Sequence, residues 1–372
     1  MERRAEDGKV KVRAPWGWGK RILAMLCGLA VMVAVNYLIL FVFSRVAGDT
    51  GIGAFLNSKG EADGSGDDDF VDVFADSVVY SQEEMEANVA DARERAAAEL
   101  LENIRLALNE GDSVLQTLRP LYPDELIVHS GGKYNFVPIN RALKQSTLEE
   151  AGLNVLESGE YQYMQDGQVV SHKGIDVSKH QGSIDWNLVA QDGVEFAFIR
   201  VGYRGYGTGK MVEDEYFEEN IKGALAAGLK VGVYFYSQAV NETEVLEEAD
   251  FVLEKIAPYR IECPVVFDVE RVSGADGRMN NISVEERTNL TQIFCQKIES
   301  AGYRPMIYHN TEMAVMMLGL ESLEGYDKWF AAYSDTFYYP YEYKVWQYSQ
   351  SGTVQGIQGN VDLNISFGPL WQ

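Results

Sequence analysis

Residues 171–372 predict an α/β fold, an irregular (β/α) barrel of eight strands and about five helices. Two observations predict it. Eight short runs rich in strand-forming residues follow one another at 174–177, 196–201, 230–236, 264–269, 305–309, 328–333, 344–348 and 361–365. Helix-periodic segments fill the early gaps, at 186–191, 213–227, 243–256, 283–301 and, briefly, 312–318. Strands alternating with helices imply βαβ units and a parallel sheet. The last two gaps, 334–343 and 349–360, are rich in Tyr, Gly, Ser and Gln and have no helical period, so the final helices are expected to be missing. An open doubly wound sheet is the alternative. It lacks a phosphate fingerprint, because Gly202-Tyr203-Arg204-Gly205-Tyr206-Gly207 has neither the spacing nor a following helix start.

The fourth strand breaks its own pattern. Pro264-Val265-Val266-Phe267 is an apolar run suited to a strand buried on both faces, yet it ends in Asp268-Val269-Glu270. Side chains alternate across a strand, so both acids point to one face. Two neighbouring carboxylates that lose hydration repel each other, and at least one should titrate high, as a general acid requires. Two solvated acids, or a metal-ligand pair, are the other readings of this stretch alone.

In a barrel the active site lies at the C-terminal ends of the strands. That rule selects Asp176, Arg200, Tyr203, Tyr234, Tyr236, Asp268, Glu270, Tyr308, His309, Tyr333, Trp346, Gln347 and Asp362. Aromatic faces with acids between them suit sugars, which have apolar CH faces and a rim of hydroxyls. A phosphorylated ligand would call for more Lys and Arg. The aromatics could equally be barrel filling, Asp176 and Asp362 could be turn residues, and Asp185 is expected to cap the helix at Trp186.

The formal charge of −24 argues against nucleic-acid binding. It is unevenly spread: residues 1–46 hold eight Lys/Arg against three Asp/Glu, a net of +5, which leaves −29 for the remainder. Residues 22–44 form an uncharged apolar run long enough to span a bilayer. The basic tail 1–21 before it places the N-terminus in the cytoplasm and the bulk outside. A cleaved signal peptide is the rival reading, but the run is long and no small-x-small site follows. Residues 45–69 read as a flexible acidic linker. Residues 70–170 read as a small α+β accessory region. A capping box at Ser81-Gln82-Glu83-Glu84 opens an amphipathic helix carrying Met85, Val89, Leu100, Ile104 and Leu108 and stopping near Gly111. That helix is expected to pack on residues 115–128 or to serve in docking. Cys263 and Cys295 read as buried thiols or, outside the cell, as a pair, and no zinc spacing occurs.

Six motifs carry a family resemblance. Gly174-Ile175-Asp176-Val177-Ser178-Lys179-His180-Gln181-Gly182, Phe198-Ile199-Arg200-Val201-Gly202-Tyr203, Gly228 to Tyr234, Pro264 to Glu270, Trp346-Gln347-Tyr348-Ser349 and Gly359 to Asn364 occur in order over about residues 173–372. They resemble family 25 glycoside hydrolases, the N-acetylmuramidase lysozymes. The resemblance implies cleavage of the β-1,4 bond between N-acetylmuramic acid and N-acetylglucosamine in peptidoglycan, with no metal or organic cofactor. Glu270 matches the general acid/base and Asp268 the acid that manages the substrate's 2-acetamido group. Asp176 and Asp362 match the remaining acids, with Arg200, Tyr203, Tyr234, Tyr308 and Trp346 expected to bind substrate. The expected protein is a single-pass enzyme of the cell membrane, tethered through residues 22–44 with its catalytic domain facing the wall. A non-catalytic wall-binding scaffold and a hydrolase of another acetylated glycan are the alternatives.

Overall fold

The structure is a computed structural model and describes residues 81–273 and 276–371. The expected basic tail, membrane span at 22–44 and linker lie outside these residues. Among the described residues, no helix is long and apolar enough to cross a membrane. Ala92–Gln372 forms one compact unit.

Helix α1 (Gln82–Glu110) starts at the expected capping box. Ser81 N donates to Glu84 Oε2 at 2.8 Å, and Glu84 N donates back to Ser81 Oγ at 3.2 Å. It stops at Gly111, whose φ of +104° only glycine adopts without strain. Among the described residues the expected packing of this helix is not found, and none of its residues is buried.

After α2 (Val114–Leu118) comes a hairpin, β1 (Glu125–Ser130) and β2 (Lys133–Pro138), turned by Gly131 and Gly132, both at positive φ. A small antiparallel sheet follows, β3 (Leu153–Val155), β4 (Tyr161–Gln165) and β5 (Gln168–Val169).

The barrel strands are β6 (His172–Val177), β7 (Phe196–Arg204), β9 (Lys230–Ser237), β10 (Val265–Val269), β11 (Pro305–Asn310), β12 (Asp327–Ala331), β13 (Val345–Gly352) and β14 (Val361–Ser366). All eight predicted strands are present, and pairing of β6 with both β7 and β14 closes the ring. Between them lie α3 (Trp186–Gln191), α4 (Phe217–Ala226), α5 (Glu242–Ile256), α6 (Val284–Ser300) and the short α7 (Leu320–Leu323), with a single π-helical turn at Met313–Met317. Two expectations are corrected. Glu213 does not start a helix; it ends β8 (Met211–Glu213), which pairs back on Gly202 to Arg204. The sheet is not wholly parallel, because β14 runs antiparallel to both β13 and β6.

Strand alternation sorts the core in two. Phe196, Phe198, Val266, Met306, Trp329 and Val345 point into the barrel. Glycines make room for the large rings: a Cβ on Gly174 would meet Phe196 at 2.1 Å, and one on Gly232 would meet Phe198 at 2.5 Å. The opposite residues, such as Ala197, Ile199, Val265, Phe267 and Ile307, join the outer core under the helices. Cys263 lies in the inner set and Cys295 in the outer one, and both are free buried thiols.

Where the last helices are missing, residues 140–170 and the tyrosine-rich loop before β13 cover the barrel instead. Tyr161 stacks on Tyr348 at 4.6 Å and meets Trp346 at 5.3 Å. Phe330 stacks on Tyr339 at 4.1 Å. Backbone bonds Ser146 N to Pro340 O and Glu342 N to Lys144 O fasten the cover. Trp346 is therefore buried in a core shared by the barrel and the accessory region. We expect Trp346→Ala to cost about 3–5 kcal/mol in urea unfolding. A chain cut to residues 171–372 should melt at least 10 °C lower and bind a hydrophobic dye. Equal stability of that fragment would disprove the shared core.

Candidate active site

The C-terminal mouth of the barrel opens into a cleft of about 670 Å³. Strand phase decides what reaches it. On β10, Asp268 has the inward phase of Val266, and Glu270 follows one residue past the strand end. Asp176 on β6, Arg200 on β7, Tyr234 and Tyr236 on β9, Tyr308 on β11 and Asp362 on β14 also line the cleft. Asp362 arrives by a route the strand-end rule does not foresee. It stands near the start of its strand, and only because β14 is antiparallel does that end reach the mouth, directly beside Asp176.

Three expected residues are not part of the cleft wall. Trp346 points to the outer face of β13, where its Nε1 donates to the Ala332 carbonyl at 2.8 Å. Its neighbour Gln347 takes the inward position, since adjacent residues on a strand cannot both face the cleft. Tyr203 lies beyond a register shift in β7 and sits beside Arg200, whose guanidinium is 5.4 Å from its ring. His309 likewise faces outward, against Phe330 and Tyr339.

The floor of the cleft is one hydrogen-bonded network. Asp176 Oδ2 accepts from Gln347 Nε2 and from Asn364 Nδ2, both at 2.8 Å. Trp329 Nε1 donates to Asn364 Oδ1 at 2.8 Å. Gln347 Oε1 accepts from Tyr308 at 2.9 Å and from Tyr333 at 3.1 Å. Arg200 is steered by Asp214, whose Oδ2 accepts from Arg200 Nε at 2.7 Å and from the Lys179 backbone N–H at 3.1 Å. Trp329, Asn364 and Asp214 escaped the sequence reading. Trp329 shares the phase of Tyr333 along strand six and Asn364 that of Asp362 along strand eight, a signal that could have found both; Asp214 carries no such mark.

Burial raises all four cleft carboxyls. For Asp268 the largest cause is lost hydration, followed by the charge of Glu270, with which it shares a hydrogen bond, and the pair is raised together. Asp176 is raised by burial, an effect its amide donors oppose. Asp362 is pushed up to about 8, first by burial and then by Asp176. Burial, with the carboxylates nearby, also keeps the phenols of Tyr234 and Tyr308 protonated, so both remain donors. Proton-sharing acids beside neutral donors can hand over and take back one proton at near-neutral pH. Among the described residues, no group of three or more His, Cys, Asp or Glu side chains is arranged to hold a metal ion.

The raised value of Asp362 makes a stability statement. Its ionisation is resisted in the fold but not in the unfolded chain, so a penalty builds as pH rises from about 4 and is complete above about 8. Asp362→Asn lacks that penalty. It should melt with wild type near pH 4 and above it by about 5 °C at pH 8. A difference that shrinks as pH rises would contradict the assignment.

The family model for glycosyl hydrolases family 25 matches residues 175–357. The autolytic lysozyme of Clostridium acetobutylicum is 29% identical over 198 residues, 52% of this chain and 55% of that protein. This chain thus spans about half the length of that relative. The uncharacterized protein YegX of Escherichia coli K12 is 30% identical over 212 residues, 53% of this chain and 70% of YegX. Lysozyme M1 of Streptomyces globisporus is 26% identical over 217 residues, 52% of this chain and 66% of that protein. Among solved structures, a family 25 glycosyl hydrolase from Bacillus anthracis is 24% identical, with a TM-score of 0.46 over 57% of this chain and 96% of that one. On its matched segment and its barrel, the chain belongs to glycosyl hydrolase family 25.

Proposed function

We propose that the protein is a membrane-tethered peptidoglycan hydrolase of the N-acetylmuramidase type. It cleaves the β-1,4 bond between N-acetylmuramic acid and N-acetylglucosamine. The observation that carries this reading is the proton-sharing pair Asp268 and Glu270 in an open cleft ringed by Tyr234, Tyr236, Tyr308 and Tyr333. The relatives named as lysozymes, from Clostridium acetobutylicum and Streptomyces globisporus, support the substrate class.

Glu270 lies at the rim, past the end of β10, and donates a proton to the glycosidic oxygen as positive charge develops on the sugar. Asp268 is too close to Glu270 to fill the usual second role. A carboxylate nucleophile stands about 5–5.5 Å from the acid, and a base activating water about 6.5–9.5 Å, whereas these two share a hydrogen bond. That closeness supports attack by the substrate's own acetamido oxygen, with retention at the anomeric carbon. Asp268 Oδ1, buried and without a hydrogen-bond partner, is suited to accept from the acetamido N–H and orient it. Asp176, Asp362 and Arg200 hold hydroxyls and carboxylate of the flanking sugars, and Tyr234 and Tyr308 supply donors. Residues 22–44 anchor the chain in the cell membrane with the barrel outside, which confines cutting to nearby wall layers.

The decisive experiment digests purified peptidoglycan with the full chain and analyses fragment masses. Wild type should release new N-acetylmuramic acid reducing ends, and Glu270→Gln should lower kcat by about 10²–10⁴-fold with the fold intact. Normal turnover by Glu270→Gln would sink the assignment, and binding to sacculi without released ends would favour a scaffold. Because the pair must keep one proton, kcat/KM should fall on the alkaline side at a pH well above the ordinary carboxylate range near 4. A fall centred near 4 would be inconsistent with that role. A reporter fused at Gln372 should be active only outside the cytoplasm; a cytoplasmic signal would refute the tether's orientation.

A further inference from the structure

A second concavity, of about 690 Å³, lies between the tip of the β1–β2 hairpin and the segment that follows Glu270. His129, Ser130 and Gly131 come from the hairpin, and Arg271, Asn280 and Glu312 from the loops after β10 and β11. Arg271 is the next residue after Glu270, so this pocket begins where the catalytic cleft ends. The two sides are buckled together. Arg271 Nη1 donates to Ser130 Oγ at 2.8 Å and to Glu312 Oε1 at 2.6 Å, and Ser130 Oγ donates to Glu312. The hairpin lies outside the segment matched by the family model.

The hairpin face next to this pocket is aromatic. Antiparallel register sets His129 opposite Tyr134 and Ile127 opposite Phe136, on one side. The His129 and Tyr134 rings are 4.9 Å apart, and Tyr122 meets Phe136 at 4.7 Å. Tyr134 is 44% exposed, and Phe136 and Tyr122 are 39% exposed. If these rings served only to cover Ile127, which is buried, they would not need to remain this open. Strands of six residues span about 20 Å, so the surface has room for more than one sugar ring. Arg271 and Glu312 are paired, while Asp276, whose Oδ1 accepts from Asn281 Nδ2 at 2.9 Å, keeps a carboxylate on the pocket wall, so the pocket does not favour an anionic ligand. Open rings beside hydroxyl, amide and carboxylate groups that can accept from sugar hydroxyls and amides match the mixed apolar and polar faces of a sugar chain.

We propose that the β1–β2 hairpin and its pocket form an auxiliary glycan-binding surface, which holds N-acetylated sugars of the same strand beyond the bond that is cut. This rests on the proposed hydrolase reading for its ligand, and it assigns the accessory region a role in choosing long chains over short ones.

The test uses the full chain carrying Glu270→Gln, so that ligand is not consumed, with and without Tyr134→Ala and Phe136→Ala. The probes are peptide-free glycans of alternating N-acetylglucosamine and N-acetylmuramic acid, four and eight sugars long, with affinity read by calorimetry. The expected result is that the double variant loses about tenfold in affinity for the octasaccharide and none for the tetrasaccharide, with unchanged melting. Equal octasaccharide affinity, or equal loss on both probes, overturns the proposal. So does a double variant that dissociates a dimer without changing glycan affinity, which would give the face to a second copy of the chain. Failure of the Glu270-intact chain to cleave either glycan overturns the hydrolase reading alone, because the affinity difference is read without cleavage.

Discussion

Asp268 and Glu270 stand two residues apart at the end of a buried strand and cannot both ionise there at modest cost. That repulsion is the constraint around which the barrel mouth is arranged. Strand alternation delivers both acids to the cleft, and closure of the ring brings Asp176 and Asp362 to its opposite side as a second carboxyl pair. The mouth therefore holds protons that isolated surface carboxyls would release.

Closure also explains the accessory region. A βαβ barrel hides the outer face of each strand under the helix that follows it, and this chain lacks helices after β12 and β13. Phe330, Trp346 and Tyr348 would then face water. Tyr161, Tyr339 and the backbone around Ser146 cover them, so the accessory strands replace helices in packing. Consistent with this, Leu126 and Leu143 lie in the same continuous core as Trp346.

Most of this was legible in the sequence, because periodicity is a local signal. All eight strands and most of the helix gaps could be read from spacing, although Glu213 belongs to a strand and the helix there starts only at Phe217. The errors came from information that spacing does not carry. Trp346 and Gln347 were both expected at the mouth, although adjacent strand residues face opposite ways; which of them faces inward depends on register with β12 and β14. Tyr203 was misplaced by a register shift invisible in the sequence. Asp362 lines the cleft, but the strand-end rule puts it at the wrong end of a parallel strand. Asn364 and Asp214 act through partners distant in sequence, and residue type alone does not reveal such partners.

Those distant partners show why the mouth is nearly free of cations. A lysine or arginine against the acids would pull their pKa values down and strip the proton that acid catalysis needs. The cleft instead holds Asp176 with the side-chain amides of Gln347 and Asn364, which donate hydrogen bonds without a full charge. Arg200, which does reach the cleft, is paired with Asp214, so much of its charge is met before it acts on the carboxyls. The four acids thus keep high proton affinity in a cleft whose floor is still built of hydrogen-bonding groups. A site built from the same acids with free cations would be better satisfied electrostatically and poorer as a proton donor.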